Sequence, residues 1–369
     1  MLDQFTIVGK IEGRDTGRII LGYMDSDGKY VHDTAFLKNG TFSFKGKINQ
    51  PTLAGIVGNI TSNLMDDPNR TIFFLEPGKL QLKLQEGGFR KIEMTGSKTQ
   101  YDFSNLQKSY AGYMDRFYKI NDSAAIISQK ADLYKDSASL QFKRDSIWKE
   151  RTKMTKAISS VERHFLSTNK TSYLTPFLME RYVGTNGISV DSATKIFANL
   201  SPTVRHSDLG FAIKQLIYSK KLANVGDIAP GFEAIDINGK TISLAEFKGK
   251  KFVLLDFWYA GCPPCRKLSP SLKKIYDEFK DSRLEIIGMA YESNSRWRAA
   301  IAEDGTGAWR HLMLSSIKKA KKDLPVDLSY NLSAYPTLVL ISKEGVIIHR
   351  STGNVGEDGL EVYRKLLSK

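Results

Sequence analysis

Cys262 and Cys265 are the residues best suited to chemistry, the only cysteines among 369 residues, set two apart in Cys262-Pro263-Pro264-Cys265. A chain with no other cysteine is not building a disulfide scaffold. A two-residue spacer brings both sulfurs to one helical turn, where a thiol and its partner can close and open a disulfide. The flanks say what must position them. Phe252-Val253-Leu254-Leu255-Asp256-Phe257 is a short apolar run suited to a strand covered on both faces. After the motif, Leu268, Leu272, Ile275, Tyr276 and Phe279 recur at helical spacing, with Lys and Arg between them. The pair is expected where a buried strand turns into a helix.

That placement assigns roles. A thiolate attacks disulfides and a thiol hardly does. At the first helical residue, Cys262 is expected to face solvent and to receive the positive end of the helix dipole, making it the attacking residue. Cys265, one turn deeper, is the resolving thiol. Pro263 and Pro264 pre-set the helix start but remove two amide protons that would have served the thiolate. Arg266 and Lys267 are expected to offset part of that loss, with solvent screening their charge. A structural zinc site needs four ligands, and one C-x-x-C supplies two. The five histidines (His32, His164, His206, His311, His349) show no paired spacing, so no metal and no other cofactor is expected.

In this strand-to-helix setting, the run Phe257-Trp258-Tyr259-Ala260-Gly261-Cys262-Pro263-Pro264-Cys265-Arg266-Lys267 resembles the thioredoxin superfamily. Within it, the motif looks most like the membrane-anchored or periplasmic thiol–disulfide oxidoreductases of the TlpA and ResA type. Val225-Gly226-Asp227-Ile228-Ala229-Pro230-Gly231-Phe232 resembles the opening segment of that family. Asn238-Gly239-Lys240 reads as a hairpin turn, with Thr241-Ile242-Ser243-Leu244 as the returning strand. Leu284 to Ala290 reads as a second buried strand, and Tyr335-Pro336-Thr337 is similar to the family's cis-proline segment. Val346-Ile347-Ile348 gives the last strand and Leu360 to Leu367 a closing amphipathic helix. The resemblance spans residues 225–369 and implies a carboxy-terminal α/β thioredoxin-like fold.

The resemblance also carries site residues. Asp256 matches the buried aspartate of thioredoxins behind the sulfur pair, where burial would raise its pKa until it exchanges protons with Cys265. The plainer alternative is a strand-end acid that reaches solvent. Pro336 enters a strand and removes a ladder donor. The resemblance implies a cis bond there, packed opposite the dithiol and presenting the backbone of Tyr335 to substrate, against an ordinary turn proline. Glu292 lies where ResA-like proteins carry an acidic residue near the disulfide, against a solvated loop carboxylate. Trp258 supports the active loop, and with Pro263, Pro264 and Tyr335 it is assigned to the substrate groove. A peroxiredoxin would need Ser or Thr three residues before its attacking cysteine and Pro seven before. Tyr259 and Leu255 stand there instead.

The remainder predicts a multidomain chain. Residues 1–98 read as an all-β domain: Phe5 to Ile11, Ile19 to Tyr23 and Thr41 to Lys47 carry strand patterning between turns at Asp27-Gly28, Asn39-Gly40 and Pro77-Gly78. A sandwich or rolled sheet is expected. The phrases at residues 39–44 and 73–78 resemble a β-domain of unknown function that precedes thioredoxin-like modules in bacterial envelope lipoproteins. Residues 99–224 read as a helical connector, with apolar periodicity over Tyr101 to Ile120, Ser123 to Leu166, Tyr173 to Tyr182, Val190 to Leu200 and Leu209 to Leu222. Ser189 is expected to cap the fourth of these.

The formal charge of +14 is concentrated in residues 99–224, with 19 basic against 11 acidic residues. Lysines and arginines on amphipathic helices form a solvated face, and no nucleic-acid motif accompanies them. No stretch reaches the roughly 18 apolar residues of a membrane span. Met1 precedes strand-like sequence directly, so a leader is expected to have been replaced by an initiator methionine. The resemblance implies a periplasmic or cell-envelope location and membrane-surface association through a removed lipid anchor. The expected activity is reduction of disulfides in exported proteins, with a protein disulfide as substrate and a thiol donor as redox partner. The alternatives are a redox-sensing binding or assembly protein, and the same dithiol acting as oxidase or isomerase.

Overall fold

Alternating burial builds the amino-terminal region. In β1 (Gln4–Glu12), Phe5, Ile7 and Ile11 point inward while Gln4, Val8 and Lys10 point outward. The computed structural model describes residues 3–60, 67–117, 119–120, 138–281, 283–317, 324–353 and 355–368. Among these, β1 joins a four-stranded sheet with β4 (Thr41–Lys47), β7 (Gly78–Gln85) and β8 (Glu93–Thr95), in the order β4-β1-β7-β8. A second sheet runs β3-β2-β5-β6, from β2 (Arg18–Met24), β3 (Tyr30–Phe36), β5 (Thr52–Val57) and β6 (Arg70–Leu75). Phe5, Phe44, Ile56, Phe73 and Leu82 share one apolar core, giving the sandwich form of the two expected. Asn39 and Gly40 both take positive φ, which suits the tight turn into β4. The pairing of β1 with β7 is parallel, a crossover that alternation alone does not reveal.

Helices α1 (Lys98–Ser109), α2 (Ala138–Thr168), α3 (Leu174–Gly184), α4 (Val190–Asn199) and α5 (Asp208–Ser219) follow. Ser189 Oγ accepts from the amide of Ser192 at 3.2 Å, which caps α4 as expected. The helix expected from Ser123 to Leu166 is helical from Ala138, and its first part, 123–137, lies outside the described residues. The chain divides into two compact units, one of Met1–Met179 and Lys195–Phe211, the other of Glu180–Thr194 and Ala212–Lys369. The helical segment is thus shared between the units.

In the second unit, a five-stranded sheet runs β13-β12-β11-β14-β15. Its strands are β11 (Phe252–Trp258), β12 (Leu284–Ala290), β13 (Arg310–Met313), β14 (Thr337–Ile341) and β15 (Ile347–Thr352). The hairpin of β9 (Glu233–Ile235) and β10 (Thr241–Ser243) precedes it. Around the sheet run α6 (Pro263–Phe279), α7 (Asn294–Asp304) and α8 (Glu357–Leu367). The apolar run of β11 is explained by two cores. Val253, Leu255 and Phe257 enter one cluster, while Leu254 enters another with Leu268 and Leu272 of α6 and Tyr363 of α8. Strand alternation then sends Asp256 to the same face as Leu254, the face that carries the cysteine helix.

Candidate active site

The site begins where β11 ends. Residues 259–261 turn the chain, and Cys262 becomes the N-cap of α6, with Pro263 and Pro264 opening the helix. The prolines lack amide protons, so the Cys265 amide takes their place and donates to Cys262 Sγ at 3.2 Å. That amide belongs to the first turn, where the helix offers unsatisfied N–H groups to an anion. Cys262 and Cys265 are joined by a disulfide, with their Cα atoms 5.3 Å apart.

Two expectations require correction here. Cys262 does not face solvent: it is 2 % exposed in the disulfide state. The reason is a cluster in which the sulfur pair packs with Trp258, Trp297 and Ile301, bordered by Ala260 and Tyr335. Arg266 is not a free charge for the thiolate either. It pairs with Asp304 and, at 2.9 Å, with Glu303, while Nη1 donates to the carbonyl of Ala260 at 3.3 Å. Two acids already neutralise it, and its geometry ties the active loop to the end of α7.

The acidic candidates take different positions. Asp256 lies behind the pair, partly buried, and lines a small cavity with Cys265. Desolvation pushes its pKa up to about 7. Glu292 follows β12, and its side chain is 9 % exposed. One oxygen accepts from the amide of Ala260 at 3.3 Å and the other from that of Ser293 at 2.9 Å, with Arg296 at 3.7 Å. Glu292 is therefore tied to the active loop rather than solvated free of it.

The Tyr335–Pro336 peptide bond is cis, and Pro336 is buried beside the start of β14. Pro263 and Pro264 are exposed. Trp258, assigned to the substrate groove, is 5 % exposed and packs in the cluster of the sulfur pair. It is the last residue of a central strand, so its side chain enters the core. The exposed aromatic surface comes from other residues. Tyr259 meets Tyr335 edge to face at 5.4 Å, and burial, then Asp327, raises the Tyr335 pKa, with a smaller contribution from Tyr291, which is 71 % exposed. Sequence reasoning left Tyr259 and Tyr291 out of the site, although both lie within two residues of the end of a predicted strand. It also left out Trp297, Trp309 and His311, which carry no local signal.

Residues 225–350 match the AhpC/TSA family, and residues 5–103 match a domain of unknown function, DUF4369. Among curated proteins, the thiol-disulfide oxidoreductase ResA of Halalkalibacterium halodurans is 32% identical over 149 residues, covering 40% of this chain and 80% of the relative. The chain belongs to the ResA family of thiol–disulfide oxidoreductases. ResA of Bacillus cereus is 30% identical over 169 residues, covering 43% of this chain and 88% of the relative. A solved thioredoxin domain of a thiol-disulfide oxidoreductase from Bacteroides vulgatus is 35% identical, covering 39% of this chain and 98% of its own, with a TM-score of 0.34. The chain is thus a thioredoxin-like protein-disulfide oxidoreductase, its matching segment at residues 225–350 preceded by β-rich and helical regions.

Proposed function

We propose that this chain reduces protein disulfides in the cell envelope, with Cys262 as the attacking and Cys265 as the resolving sulfur. The observation that carries the assignment is the cap geometry. Cys262 Sγ sits at the N-terminus of α6 and accepts the Cys265 amide, so an anionic sulfur is stabilised there. In the reduced protein, the Cys262 thiolate attacks one sulfur of a substrate disulfide, forming a mixed disulfide and releasing the first substrate thiolate. Cys265 then gives its proton to Asp256 and attacks Cys262 Sγ. The mixed disulfide breaks, the second substrate thiolate leaves, and the Cys262–Cys265 disulfide forms. Two electrons pass to the substrate, and an external thiol donor restores the dithiol.

Asp256 suits this role because a carboxyl titrating near 7 can accept and release a proton at neutral pH. Glu292 and Arg266 act as positioning residues that hold the loop before Cys262. Pro336 and Tyr335, with the exposed prolines and Tyr259 and Tyr291, form the groove that receives an extended substrate segment. Residues 225–369 are proposed as the redox module, 99–224 as a connector and 1–98 as a β-domain outside the chemistry. The envelope location rests on the family resemblance. Among the described residues, no helix is long and apolar enough to cross a membrane. The test is a pair of variants in an insulin-disulfide reduction assay. Cys262→Ser is expected to abolish turnover, and Cys265→Ser to accumulate mixed disulfide; full activity in the first variant overturns the assignment.

A further inference from the structure

One row of residues crosses the sheet behind the disulfide. Asp256 of β11 pairs with Gly288 of β12, and Gly288 pairs with His311 of β13. Residues paired in this way share a face of the sheet. Gly288, between the acid and the histidine, keeps the space between them open. A Cβ placed there would lie 2.5 Å from His311 Nδ1 and 3.2 Å from Trp258 Nε1, so two ring nitrogens converge on its missing side chain.

A cavity of about 10 Å³ lies at this place, bounded by Asp256, Trp258, Cys265, Asp304, Trp309 and His311, with Ser269 and Thr306 completing its wall. That is room for about one water. Trp258 Nε1, Trp309 Nε1 and His311 Nδ1 are all buried and have no hydrogen-bond partner among the described residues. Their polarity is fixed. His311 Nε2 lies 3.0 Å from the carbonyl oxygen of Thr306, which only accepts, so Nε2 carries the proton. Burial keeps the ring neutral, lowering its pKa to about 4. His311 Nδ1 therefore presents a lone pair, and the two indoles present N–H donors. A water there would accept from both tryptophans and donate one hydrogen to His311, with one hydrogen left. On Asp304, the second carboxylate at the cavity, Oδ2 already accepts from Arg266 and Ser269.

We propose that Trp258, Trp309 and His311 form a built site for one water, held in a single orientation that directs a donor at the Asp256 carboxylate. The three are positioning residues that set the proton affinity of the base serving Cys265. The catalytic part of this inference rests on the dithiol reading above; the water site itself does not. A water with both lone pairs occupied can donate to ionised Asp256 but cannot accept from its protonated form, so the site favours the carboxylate. The other titratable groups facing Asp256 are Cys265, Asp304, His311 and, from α8, Tyr363. Its sheet neighbours, Gly288 and Leu338, do not titrate.

The experiment titrates the Asp256 carboxyl carbon by NMR in the oxidised full chain. Trp309→Phe keeps a packed ring but removes one donor, freeing a lone pair for protonated Asp256. The expected result is an upward shift of half a pH unit or more, while Trp297→Phe, outside the cavity, leaves the titration in place. An unshifted titration in folded Trp309→Phe overturns the proposal. If that variant does not fold, a high-resolution crystal structure of the wild-type chain decides. One water within hydrogen-bond distance of all three nitrogens supports the site, and a dry cavity overturns it. A shifted titration in a protein whose cysteines never cycle would sink the dithiol reading and leave the water site standing. A dry cavity behind a cycling pair would do the reverse.

Discussion

The two sides of the disulfide are built from different materials. Behind it, Asp256 and His311 lie in a tight, largely desolvated space where protonation is controlled by burial. In front, Tyr259, Tyr291 and the two prolines are exposed, and the charged groups Arg266 and Glu292 are spent on holding the loop. The difference teaches a division of labour. Substitutions behind the pair should change rates and pH dependence, whereas substitutions in front should change how substrate binds.

The largest effect expected of this contrast is on the resolving step. Asp256→Asn should slow it by about 100-fold at pH 7, the usual scale for loss of a positioned general base. Stopped-flow measurement of mixed-disulfide decay reads that step directly, and an unchanged decay rate would remove Asp256 from the mechanism.

Stability separates the two buried groups next. Asp256 has a raised folded-state pKa, so its contribution is present below about pH 4 and is lost as pH rises to about 7. His311 has a lowered one, so its contribution is present above about pH 6.5 and is lost as pH falls to about 4. Between those limits the two slopes oppose each other. Relative to wild type, Asp256→Asn should lose roughly 3 kcal/mol from pH 6.5 to 4, the scale of about 1.4 kcal/mol per pKa unit. His311→Gln should lose a similar amount from pH 4 to 6.5. Urea denaturation across this range checks both, and parallel profiles for the two variants would contradict the opposition.

The smallest effect is expected in front. Tyr291→Ala removes an exposed ring and should raise KM for a peptide disulfide by roughly threefold, about the 0.5–1 kcal/mol of a modest surface contact, leaving kcat unchanged. A fall in kcat at constant KM would place Tyr291 with the chemistry instead and erase the contrast.

Much of the scaffold was legible because its signals are local. The apolar run at residues 252–257 and the helical spacing after Cys265 located β11 and α6 within a few residues. Ser189 announced its cap, and Asn39-Gly40 its turn. Less legible were features that depend on what a neighbouring element contributes. Nothing near Cys262 says that Trp297 and Ile301 will share its cluster, and nothing near Arg266 says that Asp304 will claim it. Periodicity also leaves strand direction open, so the parallel pairing of β1 and β7 was not visible.

By itself, then, the sequence determined the cysteine pair, the strand before it, the helix after it and the face on which Asp256 falls. Each follows from residue type and spacing along a short stretch of chain, where helix and strand periods dictate direction. Only the tertiary structure decided that the oxidised pair is covered, that Arg266 is neutralised, and that Asp256, Gly288 and His311 form one row. Those three positions are separated by 32 and 23 residues, and only the register of β11, β12 and β13 brings them together. Register is fixed by how whole strands bury their faces, a property of the assembled sheet that no single segment carries.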